Sequence, residues 1–124
     1  MYKSLSPSIT ANDLDASRRF YQRALGFQLE DTYEEDGKVL GLQMRVGTIT
    51  LYLSQDDFAK GADRDKGIGM RFYISCADVD SAAKRVEESG YEFLQPLTDQ
   101  PWGARDFAVQ DPDGFVTSVS SEGM

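Results

Sequence analysis

Two stretches of this chain repeat one another at a spacing of 65 residues, and that duplication limits the fold more than any other feature. Ile9, Asp13, Leu14 and Asp15 fall on Ile74, Asp78, Val79 and Asp80, and at a shift of 64 Gly26-Phe27 falls on Gly90-Tyr91. Each copy reads as a strand, an aspartate that caps a helix, the helix itself, a glycine stop, an aromatic residue and then further strands. The fixed order points to a duplicated βαβββ unit, and two such units fill 124 residues as a single domain. Module one covers about 1–54 and module two about 67–124. Between them, about 55–66, lies a segment rich in Asp, Lys and Gly that reads either as a linker or as an ordinary long loop.

Period-two alternation marks the strands. It runs through Ser4 to Thr10, through Val39 to Val46, and through Thr48 to Ser54, where Ile49, Leu51 and Leu53 face one way and Thr50, Tyr52 and Ser54 the other. From Met70 to Cys76 the apolar set is Met70, Phe72, Ile74 and Cys76, which leaves Arg71, Tyr73 and Ser75 on the opposite face. Phe107 with Val109 suggests one more strand. Amphipathic helices are expected over Leu14 to Leu25 and Val79 to Ser89, with turns at Asp36-Gly37, Gly47 and Asp111-Pro112-Asp113-Gly114. Phe20, Tyr21 and Leu25 sit at helical spacing and read as core, Cys76 as an inert buried thiol, and Glu34-Glu35-Asp36 and Asp56-Asp57 as solvated loops.

Composition narrows the chemistry. Histidine is absent, so Ser-His-Asp and Cys-His hydrolysis, His-ligated zinc and imidazole general-base catalysis are all excluded. A single cysteine precludes an internal disulfide or a zinc-cysteine cluster. The net charge of −8 opposes a phosphate backbone or an anionic lipid surface, so no nucleic acid and no membrane partner is expected. No stretch approaches the ~20 apolar residues of a membrane span. The opening MYKSLSPSIT has no apolar signal core, which makes the cytoplasm the expected address.

Three stretches resemble the vicinal oxygen chelate superfamily, which contains glyoxalase I, the bleomycin resistance proteins and extradiol dioxygenases. They are Asp13-Leu14-Asp15-Ala16-Ser17 through Phe20-Tyr21 to Leu25-Gly26-Phe27; Asp78-Val79-Asp80; and Pro101-Trp102-Gly103-Ala104-Arg105 leading to Asp111-Pro112-Asp113-Gly114. The resemblance implies an α+β fold of paired βαβββ modules forming a curled, cup-like mixed sheet with helices outside, commonly a homodimer. It also implies one metal ligand on each of four strands. The first of these, usually His, falls on Ser6, and the second, usually a carboxylate or amide, on Tyr52. A further His falls on Arg71, and the last, usually Glu, on Ser118. A permanent cation and neutral hydroxyls cannot replace imidazoles and carboxylates around a divalent ion, so no metal and no other cofactor is expected.

Ser6, Tyr52, Arg71 and Tyr73 fall on faces that alternation turns away from the helices. Such a face lines a ligand cavity in a curled sheet, or is the solvated side of a half-covered one; the resemblance favours the ligand. Trp102 either covers a cup and stacks on a planar ligand or anchors its loop. Arg105 either meets an anionic group or pairs with a local carboxylate such as Asp106 or Asp111.

The reading this supports is a metal-independent protein that binds or sequesters a small, antibiotic-like molecule, with no catalytic residue. The acidic balance suits a cationic compound, whereas Arg71 argues for an anionic or carbonyl-bearing group. One alternative is a lyase, isomerase or dioxygenase of the same superfamily with an altered mechanism, using Tyr52 or Tyr73 as general acid and Arg71 to stabilise an oxyanion. Another is a non-catalytic accessory dimer module.

Overall fold

A computed structural model describes residues 1–121 of the chain. In chain order the elements are β1 (Ser8–Ala11), α1 (Leu14–Leu25), β2 (Gln28–Glu35), β3 (Lys38–Val46), β4 (Ile49–Gln55), β5 (Arg71–Cys76), α2 (Val79–Ser89), β6 (Gln95–Asp99), β7 (Arg105–Gln110) and β8 (Val116–Ser121). The described residues divide into two compact units, Met1–Gln22 with Gly26–Arg64, and Arg23–Leu25 with the described chain from Asp65 onward. Each unit carries a four-stranded mixed sheet, in the order β1-β4-β3-β2 in the first and β5-β8-β7-β6 in the second. The first strand of each copy runs parallel to the last, and the other pairings are antiparallel. The two orders are the same once each strand is replaced by its counterpart, so the repeat in the sequence is a repeat of βαβββ topology.

Local chemistry sets the helices. Asp13 caps α1 by accepting from the Ala16 N–H at 3.1 Å, and Asp78 caps α2 by accepting from the Ser81 N–H at 3.0 Å and the Ser81 hydroxyl at 2.7 Å. The Ser81 hydroxyl, ahead of its backbone N–H, holds the Asp78 carboxyl below the ordinary aspartate range. Gly26, at φ 78°, ends α1: its own N–H reaches the Gln22 carbonyl while the Phe27 N–H reaches that of Tyr21, so the orphan carbonyls of the last turn are satisfied. Along α1 the buried residues Leu14, Ser17, Phe20, Tyr21 and Ala24 share one face, and Tyr21 meets Phe27 edge-on with ring centroids 5.7 Å apart. On α2 the buried set is Val79, Ala83 and Val86.

Several expectations need correction. The first strand begins at Ser8; Ser4 to Pro7 precede it, and the Pro7 carbonyl accepts from the Tyr52 N–H at 3.0 Å. Strands β2 and β6, which the βαβββ repeat calls for, show no alternation that would place them, because β2 is exposed at every residue and β6 is short and contains Pro96. Asp56 is not a solvated loop residue. Only 5% exposed, it accepts from the Phe58 N–H at 2.8 Å and pairs with Arg64 at 2.6 Å. Further on, Lys66 and Asp113, each 3% exposed at the side chain, form an ion pair at 3.3 Å. Beside it Gly67 lies so close to the Asp111–Gly114 turn that an added Cβ would stand 2.0 Å from the Gly114 carbonyl oxygen. Cys76 is half-buried rather than buried.

Candidate functional site

Strand register decides which side chains share a face. On the sheet of the first unit, Tyr52 lies between Ser8 of β1 and Gln43 of β3, and Gln43 faces Asp31 of β2. Tyr33 of β2 lies opposite Gly41, which pairs with Ser54. An added Cβ at Gly41 would stand 3.4 Å from the Tyr33 Cβ, so this glycine leaves the face low beside the phenol. The result is a concavity of about 490 Å³ lined by Ser8, Asp31, Tyr33, Gln43, Tyr52 and Ser54 among others. Tyr33 and Tyr52 are 60% and 40% exposed there. Glu30 sits at an irregularity in β2 and accepts from both Gln43 and Arg45. The Arg45 hydrogen bond holds the Glu30 carboxyl below its ordinary range, and Glu30 raises Arg45 in return, so this cation is already neutralised.

The second unit presents a different face. Arg71, Tyr73 and Ser75 of β5 pair with Val116, Ser118 and Ser120 of β8, and these pair with Gln110, Ala108 and Asp106 of β7. The Arg71 guanidinium leans along the sheet so that Nη1 donates to the buried Ser118 hydroxyl at 3.2 Å. Tyr73 is 76% exposed beside it. Asp106 accepts at one oxygen, Oδ1, from the side-chain amides of Gln95 at 2.7 Å and Gln100 at 2.9 Å.

The remaining expected site residues lie elsewhere. Ser6 is half-buried but stands two residues ahead of β1, off the strand ladder. Trp102, 65% exposed, occupies the turn between β6 and β7, where the Gly103 N–H closes on the Gln100 carbonyl and Gly103 takes φ 99°. Arg105 pairs with Asp80 of α2 at 2.9 Å and Asp99 of β6 at 3.0 Å, in place of Asp106 or Asp111. Asp99, then Asp80, hold it firmly charged. It shares the face of Phe107 and Val109, away from Tyr73 and Ser118, and is therefore committed to joining elements.

The donor set at the four family positions does not fit a metal ion. Ser6 lies off the ladder, Tyr52 carries a phenol, and Arg71 directs a cation at Ser118, the position at which the family's carboxylate would stand. The places of Asp31, Tyr33 and Asp106 depend on cross-strand register, whereas Ser54 and Gln43 follow from the alternation of β4 and β3.

Two βαβββ copies, each turning a face of hydroxyls, phenols and amides outward from its mixed sheet, define a duplicated α+β protein. The model of the Glyoxalase/Bleomycin resistance protein/Dioxygenase superfamily matches residues 5–119, and the chain belongs to that superfamily. A bleomycin resistance protein of Geobacillus stearothermophilus is 30% identical over 127 residues, covering 90% of this chain and 91% of its own. An uncharacterised protein of Mycobacterium tuberculosis is 27% identical over 123 residues, 94% of this chain and 72% of its own. Among solved structures, TioX from Micromonospora sp. ML1 superposes with a TM-score of 0.79 at 21% identity, covering 98% of this chain and all (100%) of TioX, a likeness of fold alone.

Proposed function

We propose that this chain is a metal-independent small-molecule-binding protein that sequesters an antibiotic-like compound on its sheet faces, working in the cytoplasm as a homodimer. The observation that carries the reading is the Arg71–Ser118 hydrogen bond: two positions at which the family's enzymes hold a metal are here closed on each other by a cation and a neutral hydroxyl. The concavity beside Tyr33 and Tyr52 supports it, because about 490 Å³ lies within the usual range of small-ligand sites and exposed phenols offer flat apolar surface with a polar tip. Likeness to a bleomycin resistance protein makes bleomycin the first compound to try.

Calorimetric titration with bleomycin tests the reading. Saturable binding, unchanged by EDTA and with the compound recovered intact, is expected. Turnover of a methylglyoxal–glutathione adduct that appears on adding zinc or nickel would overturn it, as would failure to bind bleomycin or any other antibiotic tried.

A further inference from the structure

We infer that the sheet face of the second unit recognises a zwitterion, Arg71 taking the carboxylate and Asp106 the ammonium of an α-amino acid or of a larger molecule that carries this group. The inference rests on the reading of the chain as a small-molecule-binding protein and names the chemistry of one of its faces.

The register lays out this face in three rows. Arg71, Val116 and Gln110 form one, Tyr73, Ser118, Ala108 and Gln95 the next, and Ser75, Ser120, Asp106 and Thr98 the third. By leaning to Ser118, Arg71 brings its guanidinium over the middle row while spending only one N–H. The other arginines that pair with carboxylates, among them Arg45, Arg64 and Arg105, are satisfied within the protein. Among the described residues no carboxylate pairs with Arg71, so the rest of its planar fork is open to an oxyanion, which it binds best in a bidentate mode.

One row away stands Asp106. Gln95 and Gln100 both donate to Oδ1, which fixes the plane of the carboxylate, and among the described residues no group donates to Oδ2. An anionic oxygen that is oriented but not saturated suits an ammonium donor. Ser118 and Asp106 are diagonal neighbours on adjacent strands, two residues out of register, roughly 8 Å apart. A ligand bridging that span with a hydrogen bond of about 2.8 Å at each end must keep its two charges close. An α-amino acid does so, since a single carbon joins its ammonium and carboxylate. Ala108, buried on the strand between the two sites, raises no side chain that would separate them. Tyr73, largely exposed beside Arg71, offers its ring to an apolar substituent.

Amide NMR titrations of the full chain with L-phenylalanine, 3-phenylpropionate and phenethylamine test this. L-phenylalanine is expected to shift β5, β7 and β8 saturably and to bind at least about tenfold more tightly than either probe that lacks one charge. Arg71→Gln should weaken L-phenylalanine and 3-phenylpropionate about tenfold while leaving thermal unfolding in place. Asp106→Asn keeps the Oδ1 acceptor for both glutamines, so it should weaken L-phenylalanine and phenethylamine and spare 3-phenylpropionate. Equal affinity for L-phenylalanine and 3-phenylpropionate, an Asp106→Asn variant with unchanged affinities, or no shift with L-phenylalanine would each overturn the inference. Bleomycin run on the same samples separates the two claims: if it binds while L-phenylalanine does not, only the zwitterion site falls, and if neither binds, the general reading falls with it.

Discussion

Arg71 reaches diagonally across two parallel strands to donate to the hydroxyl of Ser118, 3.2 Å away, although the register partner of Ser118 is Tyr73. The hydroxyl is buried and sits between β5 and β7, so it anchors the guanidinium over the sheet rather than letting it extend into water. Ser118→Ala should lower stability by about 1 kcal/mol in urea unfolding, the usual net worth of one hydrogen bond. It should also broaden the Arg71 side-chain NMR signals. Sharp, unshifted Arg71 signals in the variant would mean that the hydrogen bond does not position the cation.

Gly67 packs against the turn at Gly114 with no space for a side chain. Gly67→Ala forces the backbone of one segment away from the other and should cost about 1–3 kcal/mol, read as a lowered Tm, whereas Gly61→Ala meets no neighbouring atom. Because Gly61 has a φ of 94° and Gly67 is not in the left-handed region, Gly61→Ala reports backbone strain alone and Gly67→Ala the steric clash alone.

The pairing of Glu30 with Arg45 gives a pH dependence of known sign. The folded-state pKa of Glu30 is depressed, so its contribution is fully present above the ordinary glutamate value of about 4.3 and is lost as pH falls below it toward the folded value. The stability difference between the wild type and Glu30→Gln should therefore be largest near neutrality and shrink below about pH 4. Added salt should reduce it, because the pair is at the surface. A difference that grows on acidification would contradict the assignment.

Arg105 and Arg71 make opposite predictions. Arg105 joins β7 to α2 and β6 through Asp80 and Asp99, and its side chain is 42% exposed. Arg105→Ala should lower the Tm only slightly and leave ligand affinity unchanged, whereas Arg71→Leu should change affinity and also cost the stability of the lost Ser118 hydrogen bond. Calorimetry paired with thermal unfolding distinguishes the two roles.

Features set by neighbours in sequence were legible before the structure. Asp13 and Gly26 bound α1, and Asp78 and Gly90 bound α2, because capping is decided within one turn. Alternation on β4 and β5 placed Tyr52, Arg71 and Tyr73 on outward faces, where they are found. What the sequence left unread depends on distant partners. β2 carries no alternation because it is exposed at every residue, so Asp31 and Tyr33 gave no sign that they stand beside Tyr52. Asp56 reads from the sequence as a solvated loop residue and Arg105 as a ligand contact or a partner of Asp106 or Asp111, and only the fold supplies Arg64 to the first and Asp80 to the second. Ser118 was placed by family likeness, but its bond to Arg71 required the register of β5 against β8.

The central claim is that this member of the superfamily binds its ligand without a metal. Crystals grown with bleomycin and soaked in zinc, nickel and manganese, measured at each anomalous edge, test it most directly. The account predicts ligand density against the sheet faces and no anomalous peak at Ser6, Tyr52, Arg71 or Ser118. An anomalous peak coordinated by any of these four residues would contradict it.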